Sequence, residues 1–125
     1  MNVLQSIKSK FIGQNKEQQA AKWLQQNHFE IIAQNYLCKG GEIDLIGFES
    51  KQNRLIFFEV KYRKNNHYGD PAETLSTQQQ QRIVRCAQRF LQQHPQYQDK
   101  AMQFDLLTFL DQQTEPHRIE NAFGL

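Results

Sequence analysis

The stretch Gly40–Lys64, GGEIDLIGFESKQNRLIFFEVKYRK, sets acids inside apolar, β-prone runs and closes on a basic cluster. Gly41–Phe48 and Arg54–Arg63 each read as a strand, and the polar ESKQN segment between them reads as the turn of a hairpin. With a period of two, Glu42, Asp44 and Ile46 share one face of the first strand, and Ile43 and Leu45 the other. On the second strand Leu55, Phe57, Glu59, Lys61 and Arg63 alternate with Ile56, Phe58, Val60 and Tyr62. An antiparallel hairpin lets Asp44 approach Glu59 across the sheet, although sequence alone leaves the register open.

Two carboxylates set among apolar residues need a partner, because an isolated buried charge is expensive. Oxygen ligands suit a hard divalent cation, and Lys61 beside them can stabilise charge on a phosphate or orient a water. No His or Cys joins the constellation, so Mg²⁺ is the preferred ion and Mn²⁺ its substitute rather than Zn²⁺. An ordinary hairpin with its polar groups toward solvent fits the same alternation, but Phe57 on the acidic face counts against it.

Upstream, NKEQQAAKWLQQN has helical spacing, with Ala20, Ala21 and Leu24 near one face. Glu17 lies three and four residues before the alanines, which turns it toward the packed side. Residues 1–12 are expected to be a flexible segment ahead of this helix, and FEIIAQNYL a strand after it. Downstream, NNHYGDPAETLS reads as a loop, in which His67 and Tyr68 are candidate phosphate or base contacts. Ser76 begins a helix that runs to Gln93, before Pro95. Ile83, Val84, Ala87, Phe90 and Leu91 form its packing side, while Arg82, Arg85 and Arg89 repeat on the other, where they can meet nucleic-acid phosphates or simply confer solubility. AMQFDLLTFL is a further strand, interrupted by Asp105, and Pro116–Leu125 is a short terminal strand or an edge-packing tail.

The bulk composition sets limits. A chain of 125 residues with nine Phe, four Tyr and one Trp has material for one hydrophobic core, so 1–125 is expected to be a single domain. Apolar runs fall well short of the roughly 20 residues of a membrane span, and the N-terminus has no signal-peptide pattern. The expected setting is cytoplasmic, without a membrane partner. Cys38 and Cys86 form no close-spaced metal pattern and are expected as two reduced thiols. A net charge of +2 does not by itself imply a nucleic-acid partner, but its distribution is uneven. Thr74–Gln98 holds no acid, whereas Glu42, Asp44 and Glu59 concentrate acid in the strand pair.

The segments GQNKEQQAAKWL, NYLCKGGEIDLIGF, LIFFEVKYRKNNHYGDPAE, QFDLLTFL and IENAF resemble the uncharacterised YraN-like family. That family is related to the PD-(D/E)XK nuclease superfamily and looks similar to archaeal Holliday junction resolvases. GEIDLI together with FFEVKYR carries more specificity than an isolated ExK. The resemblance implies an α/β fold of restriction-endonuclease type, a mixed central sheet flanked by helices. It implies Asp44 and Glu59 as metal-binding acids, Lys61 as the catalytic lysine and Glu17 as the helix acid contributing to the metal site. Two positions depart from the family pattern: Gln79 and Gln103 stand where a basic residue is frequent.

Three functional readings follow. The first is metal-dependent hydrolysis of DNA phosphodiesters, at branched or distorted structures, by Asp44, Glu59, Lys61 and Glu17. Arg63, Lys64, His67, Tyr68, Arg82, Arg85 and Arg89 would contact the nucleic acid, with RNA as an alternative to DNA. The second is a non-enzymatic nucleic-acid-binding or repair-assembly module, and the third a protein-interaction domain on a nuclease-like fold. A second copy of the chain or a DNA-repair protein are the candidate protein partners.

Overall fold

The computed structural model describes residues 3–63, 75–111 and 113–124, with side chains from residue 15 onward. The candidate contacts Lys64, His67 and Tyr68 lie outside the described residues. Helix α1 (Val3–Gln26) leads into strands β1 (Phe29–Cys38), β2 (Gly41–Glu49) and β3 (Arg54–Arg63). Helix α2 (Thr77–Gln93), a 3-10 turn (Pro95–Tyr97), β4 (Ala101–Leu110) and β5 (His117–Phe123) complete the chain. The five strands form one sheet in the order β1-β2-β3-β4-β5. β3 and β4 run parallel and every other neighbouring pair antiparallel, so the sheet is mixed.

The strand alternation in β3 separates two apolar layers. Ile56 and Phe58 join Ala20, Ala21 and Leu24 of α1, with Leu45, Leu107 and Phe109. Leu55 and Phe57 join Ile83, Cys86, Ala87 and Phe90 of α2, with Ile43, Ile46 and Phe104. The two helices therefore cover opposite faces of the sheet. Phe57, Phe58, Phe90 and Phe109 are fully buried, and burial of each such side chain contributes about 1.5–3 kcal/mol.

The expected α1 starts too late. Its ladder begins at Val3, so the helix takes in residues 3–12. No proline interrupts that stretch, and the single interior glycine, Gly13, costs only about 1 kcal/mol relative to alanine. The start of α2 is fixed by a capping box, in which the Gln79 amide donates to Ser76 Oγ at 3.1 Å and the Ser76 amide donates to Gln79 Oε1 at 3.0 Å. The position read as a lost basic contact thus has a local structural task.

Alternation fails beside the acidic strand residues. Ala33 and Tyr36 of β1 both pack on the α2 side although three residues apart, and so do their partners Ile46 and Ile43 of β2. Leu45 lies on the α1 side, so Ile43 and Leu45 do not share a face and the expected grouping of Ile46 with Asp44 fails. Asn35, between those residues on β1, has a left-handed backbone with φ of 51°. An Asn tolerates that conformation, and the irregularity it introduces lies beside Asp44.

Cys38 and Cys86 are joined in a disulfide, which overturns the expectation of two reduced thiols. Their Cα atoms are 5.6 Å apart across 48 residues of sequence, a spacing typical of disulfides. Only the packing of α2 on the β1–β2 turn creates that proximity, so no sequence spacing announces it.

Candidate metal centre

The β2–β3 ladder pairs Glu49 with Arg54 and proceeds to Leu45 with Phe58, where it stops. Asp44 and Glu59 are the next residues on the two strands, the approach that the hairpin allowed. Beyond the last pair, Asp44 Oδ2 accepts the Val60 amide at 2.8 Å, so a side chain takes the role of a strand carbonyl. The carboxylate therefore sits where the strands part. Glu17 reaches the same point from α1, on the helical row of the buried Ala20, Ala21 and Leu24.

Oxygens of Glu17, Glu42 and Asp44 lie within 4.8 Å of one another. Asp44 is buried, Glu17 half-buried and Glu42 exposed. Glu59 is outside that trio but hydrogen-bonds to Asp44 through its side chain. Its Oε2 is buried without a hydrogen-bond partner among the described residues. Lys61, two residues along β3, is close enough for its charge to favour ionisation of both Asp44 and Glu59. Glu17, Asp44, Glu59 and Lys61 thus lie near one another. Glu42 completes the trio and was left out of the expected ligands. Its signal was present, since it stands two residues from Asp44 on the same strand.

The electrostatics follow from crowding acids in partial burial. Glu59 is pushed up from 4.5 to about 9, first by burial, then by the charge of Asp44 and the hydrogen bond to it. Glu17 rises from 4.5 to about 7 through burial and the charges of Asp44 and Glu42, against a hydrogen bond from Asn35 that favours its ionised form. Burial also raises Asp44, opposed by the Val60 amide and by the contacts to Glu59, Lys61 and Glu17. Desolvation and the charge of Asp44 raise Glu42. The charge of Asp44 is thus common to the raised positions of Glu17, Glu42 and Glu59. This arrangement fits a divalent cation: the donors are all oxygen, one carboxylate oxygen has no protein partner, and a positive charge would relieve the repulsion that raises these acids.

The basic candidates are placed less centrally. Arg82, Arg85 and Arg89 are exposed on α2, and none is in an ion pair among the described residues. Arg63 ends β3 and is half-buried. α2 packs closely on β2 at Gly41, where a Cβ would meet Cys86 Sγ at 3.1 Å and the Arg82 carbonyl oxygen at 3.4 Å. Arg82 therefore stands over the strand position next to Glu42.

Asp105 has a separate task. It is fully buried and accepts from Arg118 Nε at 2.8 Å, Gln103 Nε2 at 2.8 Å and the Asn121 amide at 3.0 Å. Gln103 thus supports Asp105 directly, and its Oε1 accepts from Arg54 at 2.9 Å. Arg118 also lies over the Phe29 ring, 5.1 Å from its centroid. The network ties β4 to β5 away from the acidic trio.

Residues 16–109 match the model of the uncharacterised protein family UPF0102. The chain belongs to that family. The family is related to the YraN-like proteins and the PD-(D/E)XK nuclease superfamily, and the mixed sheet between two helices agrees with that architecture. A UPF0102 protein of Acinetobacter baumannii is 42% identical over 98 residues, covering 78% of this chain and 72% of its own length. One from Francisella tularensis subsp. novicida is 38% identical over 115 residues, covering 91% and 95%. One from Alcanivorax borkumensis is 37% identical over 107 residues, covering 86% and 82%. The family match takes in all five residues of the acidic site: Glu17, Glu42, Asp44, Glu59 and Lys61.

Proposed function

We propose that this protein is a divalent-metal-dependent phosphodiesterase acting on DNA, with branched or distorted DNA as its substrate. The observation that carries the reading is the meeting of Glu17, Glu42 and Asp44 oxygens within 4.8 Å, beside Glu59 and Lys61 where β2 and β3 part. Asp44, Glu17 and Glu42 would hold the ion, with Glu59 adjacent and able to turn its partnerless Oε2 toward it. Mg²⁺ is the proposed ion and Mn²⁺ its substitute. A bound divalent cation would supply Lewis acidity toward a phosphoryl oxygen.

The chain's own residues supply the rest. Lys61 places a positive charge next to the carboxylates, where negative charge develops on the phosphate in the transition state. The Val60 amide fixes Asp44, so the site does not depend on a mobile side chain. Arg82, Arg85 and Arg89 offer exposed charge to the phosphate backbone, which positions the nucleic acid without reading sequence. Those exposed arginines also favour a second reading, a nucleic-acid-binding module without turnover. The two separate in a cleavage screen of purified protein on linear, flapped and four-way DNA and on structured RNA, with Mg²⁺, Mn²⁺ and chelator. Metal-dependent cleavage of the branched DNA is expected, and binding without cleavage under any metal favours the module.

A further inference from the structure

The disulfide sits at a mechanically significant place. Cys38 ends β1 and pairs with Gly41, the first residue of β2, across the turn at Lys39 and Gly40. Glu42 follows at once and Asp44 two residues later, so this turn delivers two of the three clustered acids. Cys86 lies in the middle of α2, four residues after Arg82 and three before Arg89, spacings that put all three on adjacent turns of one helical flank. One covalent bond thus joins the root of the acidic strand to the part of the helix that carries the arginines.

The two sulfurs differ in access. Cys86 is fully buried in the α2-side layer, whereas Cys38 is half-buried at the end of β1, which is an edge strand. In a reducing compartment, a protein disulfide is usually transient and redox-sensing rather than permanent. We propose that the Cys38–Cys86 bond is a redox-responsive staple that fixes the flank of α2 bearing Arg82 and Arg89 to the turn at the root of β2, on the face of the sheet opposite Glu17.

The exchange is balanced. A thiolate of a dithiol reductant attacks Cys38 Sγ, the bond between the cysteines breaks, and its electron pair passes to Cys86 Sγ, which takes up a proton. The reductant's second thiolate then closes on its own sulfur in the mixed disulfide and releases Cys38, which is protonated in turn. The protein gains two electrons and two protons, and the dithiol becomes an internal disulfide. A low-molecular-weight disulfide runs the process in reverse. Reduction leaves Cys86 in its apolar layer but frees the β1–β2 turn to move relative to α2.

The part of this inference that concerns phosphate binding rests on the nuclease reading, and the test keeps the two apart. Hydrogen exchange is measured on the oxidised chain, the dithiol-reduced chain and Cys38→Ser, together with the affinity of each for a short labelled DNA duplex at low salt with chelator. Exchange is expected to rise on reduction in residues 37–42 and 82–90, with β3 and β4 unchanged, and Cys38→Ser is expected to behave as the reduced chain with or without dithiol. If the stapled arrangement is about a tenth of the reduced population, the apparent affinity falls about tenfold. Equal exchange in both states, or equal measurable affinity in both, overturns the staple. A duplex that binds in neither state defeats the nucleic-acid reading, and the exchange measurement then decides the staple alone.

Discussion

Asp44 and Val60 are joined by a 2.8 Å hydrogen bond in which a carboxylate oxygen takes the place of a strand carbonyl. The bond closes the β2–β3 pairing just past its last pair, from one residue beyond Leu45 to two residues beyond Phe58, and pins the acid whose charge raises the neighbouring carboxyls. The aspartate is therefore at once part of the sheet and part of the site, and its two tasks can be separated by substitution.

Asp44→Asn keeps an oxygen acceptor for the Val60 amide and removes the charge that raises Glu17 and Glu59. In chelator, its stability toward urea is expected to equal or exceed that of the parent. Asp44→Ala leaves the amide without its acceptor, which costs about 1–3 kcal/mol. Equal stability of the two variants would show that the hydrogen bond contributes nothing.

The raised acids make metal-free stability depend on pH. Glu59 titrates near 9 and Glu17 near 7 in the folded chain, against an ordinary 4.5. Between 4.5 and about 9 the folded state binds more protons than the unfolded state, so stability falls as pH rises through that window. Glu59→Gln, isosteric with the protonated acid, is expected to flatten the upper part of this decline. Urea midpoints across the window in chelator measure it, and a stability that rises with pH in the parent contradicts the assignment.

Arg118 balances the buried Asp105. Arg118→Met retains bulk against Phe29 and Phe58 but leaves the carboxylate to Gln103 and the Asn121 amide. Breaking a buried pair in this way costs about 3–5 kcal/mol. Denaturation should show that loss, whereas metal affinity at the acidic trio should be unchanged because the network lies apart from it.

Much of this was legible in the sequence. β3 and β4 match their expected limits, Ser76 caps α2, and the spacing of Glu17 from Ala20, Ala21 and Leu24 turned it toward the sheet. These features depend on local periodicity and capping chemistry. What escaped depends on contacts between distant segments or on a local break in period. The left-handed Asn35 reverses the faces of β1, and with them the grouping of Ile43 with Leu45. The bond between Cys38 and Cys86 exists only once α2 has docked. Glu42 was readable, but its membership of the trio required Glu17 to arrive from another element.

Replacing Arg82, Arg85 and Arg89 together with Gln tests the exposed face of α2. Affinity for duplexes of unrelated sequence should fall to a similar degree, with the fold retained. The slope of log affinity against log salt should shrink by about 0.9 for each phosphate that the variant no longer neutralises. An unchanged affinity and slope assign the three arginines to solubility.

The most direct measurement is single-turnover cleavage of a four-way DNA junction in Mg²⁺ or Mn²⁺ by the parent, Asp44→Asn and Glu59→Gln, with binding measured in parallel. Loss of an outer-shell partner typically costs 10–100-fold, so removing charge from the ion's own surroundings is expected to lower the rate by about 100-fold or more while binding persists. Chelator should abolish the parent's activity, and Lys61→Ala should slow it without loss of fold. A metal-dependent cleavage rate that is the same in the parent, Asp44→Asn and Glu59→Gln would contradict the assignment of these acids.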